Sequence, residues 1–158
     1  MELKKSTMMA LYDTICKLSN ITSHPKFAYA MVKNKQLIEP EYKAILSLYI
    51  YGDKYKKYDK ERLKLIDKYG SRDSSNELII TNGSVMFSNE NLTKFENEIS
   101  ILKNEYTEVL TQVETINSEV NKILNETIDI NIHKINIDYV PDQIKIGDME
   151  ILEVLIDS

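Results

Sequence analysis

Ten apolar residues in the second half of the chain fall on an unbroken 3–4 spacing: Leu92, Phe95, Ile99, Leu102, Tyr106, Val109, Val113, Ile116, Val120 and Ile123. At that spacing side chains stack along one face of an α-helix, and sustained over several turns they form a coiled-coil seam. The stripe from Leu92 to Ile123 corresponds to roughly 48 Å of helix at 1.5 Å per residue. Such a seam demands a partner surface, either a second long helix of the same chain or a second chain.

The segment from Pro25 to Gly70 supplies a candidate partner. Its apolar residues Phe27, Met31, Leu37, Ile38, Ile45, Leu48, Tyr49, Tyr55, Leu63 and Ile66 recur at helical intervals. Pro25 suits a first helical turn, where its missing N–H costs nothing. Pro40 is expected to bend or break the helix, Gly52 to weaken it and Gly70 to stop it. Ser88 can cap the helix that carries the stripe. Of the 158 residues, 1–70 carry fourteen Lys/Arg and eight Asp/Glu, whereas 71–158 carry six and seventeen, within an overall net charge of −5. The first long segment is basic, and the second carries Glu96, Glu98, Glu105, Glu108, Glu114 and Glu119. Packed antiparallel, their flanks attract. Exposed ion pairs contribute little each, so these charges favour an orientation more than they supply stability.

Between the two segments lies ELIITNGSVMF, residues 77–87. Asn82–Gly83 is a strong signal for a type I′ turn, because both residues tolerate positive φ. The spacing predicts a β-hairpin at the tip of the helical stalk, with Leu78, Ile80, Asn82, Gly83, Val85 and Phe87 as the candidate partner-binding tip. A lone two-stranded hairpin is marginal in water. Packing of Leu78, Ile80 or Phe87 on the chain's own helix ends is the favoured expectation. Pairing with another chain, by strand addition or oligomerisation, is the functional alternative.

Ser6 or Thr7 can cap a first helix with Met8, Leu11, Ile15 and Leu18 on one face. Near the other end, Ile128, Ile130 and Ile132 alternate, then shift phase to Ile135 and Ile137, as in a strand with a bulge. Asp148 can cap a short last helix with Met149, Leu152, Leu155 and Ile156. The fold expected is α+β and mostly helical: a long antiparallel coiled-coil helical hairpin, a β-hairpin at its tip, and a small base of N-terminal helix, C-terminal strand and short C-terminal helix. It is read as a single domain over 1–158, with base 1–24 and 126–158, stalk 25–70 and 88–125, and tip 77–87.

Catalytic chemistry finds no foothold. The single cysteine, Cys16, excludes an internal disulfide and a multi-cysteine zinc site. His24 and His133 lack partners at metal spacing, the four glycines form no phosphate loop, and Asp129 and Asp138 are no paired-carboxylate signature. The expectation is a non-enzyme with no cofactor and no metal. The stretch YIYGDKYKKYDKERLKLIDKYG mixes bases with five tyrosines, the ingredients of nucleic-acid binding. Its own acids and the acidic helix offset that charge, and the reading goes against nucleic acid. No apolar run approaches a membrane span, and the N-terminus lacks the continuous apolar core and cleavage site of a signal peptide.

The segments KFAYAMVKN, LIEPEYKAI, LIDKYGSRD, IDINIHKINID and MEILEVLID resemble small bacteriophage proteins of the DUF1617 family. The helix from Ser88 to Asn125 is longer than that family's pattern, so the stalk reads as an elaboration. The resemblance implies a phage origin, residence in the host cytoplasm or the virion, and no catalytic residues, since the family's function is unknown. Three functions follow as expectations. The leading one is a structural or accessory protein acting through protein–protein contact in the virion or its assembly, with a second copy, a virion component or a host protein as partner, so that a homo-oligomer is one expected state. The second is an inhibitor of a host defence system or host enzyme. The third is a nucleic-acid-binding accessory protein.

Overall fold

A computed structural model describes residues 1–157. The protein is a mostly helical α+β chain, with six α-helices and four short strands among the described residues. In chain order the elements are β1 (Glu2–Lys4), α1 (Lys5–Lys17), α2 (Pro25–Ser47), α3 (Gly52–Tyr69), β2 (Ile80–Thr81), β3 (Ser84–Val85), α4 (Asn89–Glu105), α5 (Thr107–Asn125), β4 (Thr127–Asp129) and α6 (Ile146–Leu152). They fall into two units: residues 1–49 with the chain from Asn117 onward, and Ile50–Ile116. The divisions lie between α2 and α3 and within α5.

The first unit is built on α1 packed against α2 and α6. Met8, Leu11, Ile15 and Leu18 are all buried, as their spacing predicts, and meet a core that includes Phe27, Met31, Ile38, Ile45, Leu152 and Leu155. Leu37 and Leu48, counted among the same apolar positions, are instead exposed. No side chain caps α1. The strand β1 runs directly into it, and the Lys5 N–H donates to the Glu126 carbonyl at 2.9 Å, so the sheet supplies the bond expected from Ser6 or Thr7. Strand β1, which the sequence pattern does not announce, pairs antiparallel with β4, Leu3 opposite Ile128.

The C-terminal alternation is regular strand only over Thr127–Asp129. Ile130, Ile132 and Ile135 are buried beyond it, and the phase change at His133–Lys134 has a cause. The fully buried Asn34 on α2 grips the His133 peptide: the His133 N–H donates to Asn34 Oδ1 at 2.8 Å and Asn34 Nδ2 donates to the His133 carbonyl at 2.9 Å. After this clamp Ile135 pairs with Ile156. Asp148 does not cap α6. It sits in the helix's first turn, buried, with Lys17 Nζ donating to both carboxylate oxygens at 2.7 and 2.8 Å.

Two expectations about helix continuity are corrected. Pro40 lies inside α2 without ending it; Pro40 and Gln36, whose carbonyl loses its partner, are exposed, so water can take the bond. The break falls twelve residues on, where Gly52 adopts φ +71, a conformation glycine takes without steric cost. The stripe-bearing segment likewise divides at Tyr106, φ −108 and ψ 20, into α4 and α5. Next to it the Thr107 hydroxyl donates back to the carbonyls of Lys103 and Asn104 at 3.2 and 2.8 Å, a competition that bends helices.

Candidate functional site

The second unit rests on α3 packed against α4. Tyr58, Ile99 and Leu102 are its buried centre, with Tyr55, Leu65, Phe95, Tyr106 and Leu110 against them. The tyrosines form a ladder, with ring centroids 4.8 Å apart for Tyr51–Tyr55, 5.9 Å for Tyr55–Tyr58 and 5.5 Å for Tyr58–Tyr106. Burial pushes the Tyr58 hydroxyl's pKa up. At the end of α3 the Tyr69 hydroxyl donates to Glu98 Oε1 at 2.5 Å, and Lys68 Nζ reaches the same carboxylate at 2.9 and 3.0 Å. These bonds, Tyr69's first, hold the Glu98 carboxyl below the usual carboxylate range. Lys68–Glu98 is the one ion pair between α3 and α4 among the described residues. The other paired cations of α3 are satisfied locally, Lys56 by Asp53 and Arg62 by Asp59.

The hairpin grows from this base. Ser88 caps α4, its Oγ accepting from the Asn91 N–H at 3.3 Å. Phe87 stacks on Phe95 with centroids 4.7 Å apart. Gly70 ends α3 with φ −61, so its value is space rather than conformational freedom: a Cβ there would lie 2.5 Å from Leu78 Cδ2, 2.8 Å from the Ile66 carbonyl oxygen and 2.9 Å from Val85 Cγ1. Ser71 then wedges between the arms, its N–H donating to the Met86 carbonyl at 2.8 Å and its carbonyl accepting from Ile79 at 2.9 Å. The hairpin's open end is therefore tied by its own chain. At the other end Asn82 and Gly83 adopt φ 51 and 76, as a type I′ turn requires, and β2 pairs with β3 through Ile80–Val85 and Thr81–Ser84.

Alternation sorts the tip's side chains into two faces. Leu78, Val85 and Phe87 are half-buried against the base, whereas Asn82 and Gly83 at the turn are exposed. Ile80 shares the inward register but extends past the base and is 64% exposed. Ile79 and Met86 face the other way, joined by the bond from the Met86 N–H to the Ile79 carbonyl at 2.9 Å, and are 39% and 46% exposed. Neither belongs to the tip set expected from the sequence. The alternation that assigns Leu78 and Ile80 to one face assigns Ile79 and Met86 to the other.

Of the ten stripe residues, Ile99, Leu102, Val109 and Val120 are buried, Phe95, Tyr106, Val113, Ile116 and Ile123 are half-buried, and Leu92 is exposed. Phe95, Ile99, Leu102 and Tyr106 come together in the α3–α4 cluster. Leu63, counted among the apolar positions of the first long segment, points to solvent. His24 begins α2, its Nδ1 accepting from the Lys26 N–H at 3.2 Å and its ring stacked 4.5 Å from Tyr139. The exposed His133 ring meets Tyr29 edge-on at 6.3 Å. Cys16 is half-buried, and Asp129 binds the N-terminal ammonium at 2.8 Å. Among the described residues no three His, Cys, Asp or Glu side chains are grouped to hold a metal ion, and no helix is long and apolar enough to cross a membrane.

Comparison of the chain with protein-family models, with curated proteins and with solved structures found no match. Its functional reading is carried by the geometry of the tip and of the helix pair beneath it.

Proposed function

We propose that this chain is a non-enzymatic structural or accessory protein that works by protein–protein contact, in the phage setting that its sequence resemblance implies, and that the hairpin tip is its contact point. The observation that carries this reading is the division of labour within the tip. Its inward face is consumed in internal packing around Gly70, while Ile79 and Met86 on the opposite face and Ile80 beyond the base remain exposed on a hairpin whose turn has a fixed geometry. Exposed apolar groups on a rigid support are what a protein partner buries.

The tyrosines weigh against the nucleic-acid alternative. Tyr58 and Tyr69 are buried and Tyr55 packs against the α3–α4 core, so three of the stretch's five rings that base stacking would use are committed there. Antiparallel pairing of the basic α3 with the acidic α4 is part of the proposal. The α3–α4 packing supports it.

The test compares the intact protein with Ile80→Lys as bait in an extract of infected cells. The reading expects a partner retained by the native chain and lost by Ile80→Lys, with nearly equal melting temperatures. Equal capture by both, or a large fall in melting temperature for Ile80→Lys, contradicts it.

A further inference from the structure

Two apolar side chains of the second unit stand in solvent in two grooves, the first lined mainly by lysines and the second mainly by glutamates, with Lys64 at the edge of both. Leu63, 50% exposed, occupies the outward face of α3 beside Lys56, Lys60 and Lys64 in one shallow groove. The two acids one turn away are already engaged, Asp59 with Arg62 and Asp67 with Arg72. Lys60 and Lys64 have no ion-pair partner among the described residues. Ile101, 60% exposed, lies on α4 in a groove with Glu61, Glu98 and Glu105, and the exposed Glu108 follows at the start of α5. Glu105 and Glu108 are exposed and are likewise without an ion pair among the described residues.

We propose that the Leu63 face of one copy docks on the Ile101 face of a second copy. Each apolar residue is then covered, and the unpaired lysines of one copy meet the unpaired glutamates of the other. The sequence's opposite charges thus act between chains as well as through the single Lys68–Glu98 pair within one. A net charge of −5 opposes random association, so the aligned patches set the register of the contact. The two faces differ, making the contact heterologous: each copy offers a donor face and an acceptor face, and the pattern propagates unless its rotation closes a ring. Nucleic acid on the lysine face is disfavoured by the adjoining glutamates and by the inward-turned tyrosines.

The surface does not include the tip, so Ile80→Lys retains self-association, and failure of the tip reading leaves this one standing. The experiment is light scattering on the full chain over a range of concentrations, in low salt and in about 1 M salt, where charges are screened beyond about 3 Å. The native protein gains mass with concentration in low salt and returns to single-chain mass in high salt. Lys60→Glu/Lys64→Glu and Glu105→Lys/Glu108→Lys each remain single chains with native helical content. Mixed in equal amounts they regain association, because the first variant's glutamates meet the second's lysines and the two reversed faces also complement each other. Should a reversal variant fold poorly, Lys60→Gln/Lys64→Gln is measured in its place and likewise stays single. Native protein of single-chain mass throughout, association that survives loss of the lysines, or no complex on mixing overturns the proposal. So does a native chain that stays single while binding a single-stranded oligonucleotide through those lysines.

Discussion

Gly70 lies so close to Leu78 that a methyl group on its Cα would sit 2.5 Å from Leu78 Cδ2, well inside van der Waals contact. The hairpin is seated on the helix pair at this point, and the seat exists because position 70 has no side chain. Gly70→Ala keeps an ordinary backbone conformation there, since φ is −61, so its cost is purely steric. The Leu78 methyl can swing away, but the Ile66 carbonyl oxygen at 2.8 Å belongs to the helix backbone. Overpacking of this kind costs about 1–3 kcal/mol. Chemical denaturation should show that loss for Gly70→Ala, with the cooperativity of unfolding unchanged.

The Glu98 carboxylate gives the second unit a dependence on acid. Its folded-state pKa is lowered by Tyr69 and Lys68, so its contribution is present above the unfolded value near 4.5 and is lost as pH falls through the folded value. Glu98→Gln removes the contribution at neutral pH. The difference in melting temperature between the native chain and Glu98→Gln should be largest at neutral pH and shrink below about pH 4.5.

Tyr42 marks the alkaline side. Its hydroxyl donates to Asp13 Oδ1 at 2.7 Å, and this bond, followed by burial, pushes its pKa up to about 12. The stabilisation is complete below the unfolded value near 10 and is lost as pH rises through about 12. Tyrosinate absorbance should reveal a late-ionising group that disappears in Tyr42→Phe.

Asn34 is the buried polar group whose loss should be felt furthest along the chain. Replacement by Leu leaves the N–H and carbonyl of His133 without their partners. Both bonds are partly buried, so the loss of each costs at most about 1–3 kcal/mol, the penalty of a fully buried unsatisfied group. Asn34→Leu should accelerate amide exchange at His133 and lower stability, while substitution of the exposed His133 ring should do neither.

Much of the helical organisation was legible in the residues. The spacing of Ile99 and Leu102 placed them in a helix-packing core, Asn82–Gly83 specified its turn, and Pro25 and Ser88 marked helix starts. What escaped depends on long-range partners. Strand β1 is too short for any periodicity and exists because Leu3 finds Ile128 across the chain. Asn34 reads as a solvent residue until the His133 peptide is brought beside it. Leu63 fits a helical repeat, and only the side on which α4 packs decides that it faces water. Ile79 and Met86 were hidden for a related reason: both faces of the hairpin are apolar, and Gly70 selects the one that turns inward.

The central claim is that the inward face of the tip serves folding while its outward face and apex are left for contact. Thermal unfolding of Ile79→Ser/Ile80→Ser beside Gly70→Ala tests it most directly. The account predicts a melting temperature close to native for the serine pair and a clear fall for the glycine replacement. An equal or larger fall for the serine pair would contradict it, because Ile79 and Ile80 would then be part of what holds the chain together.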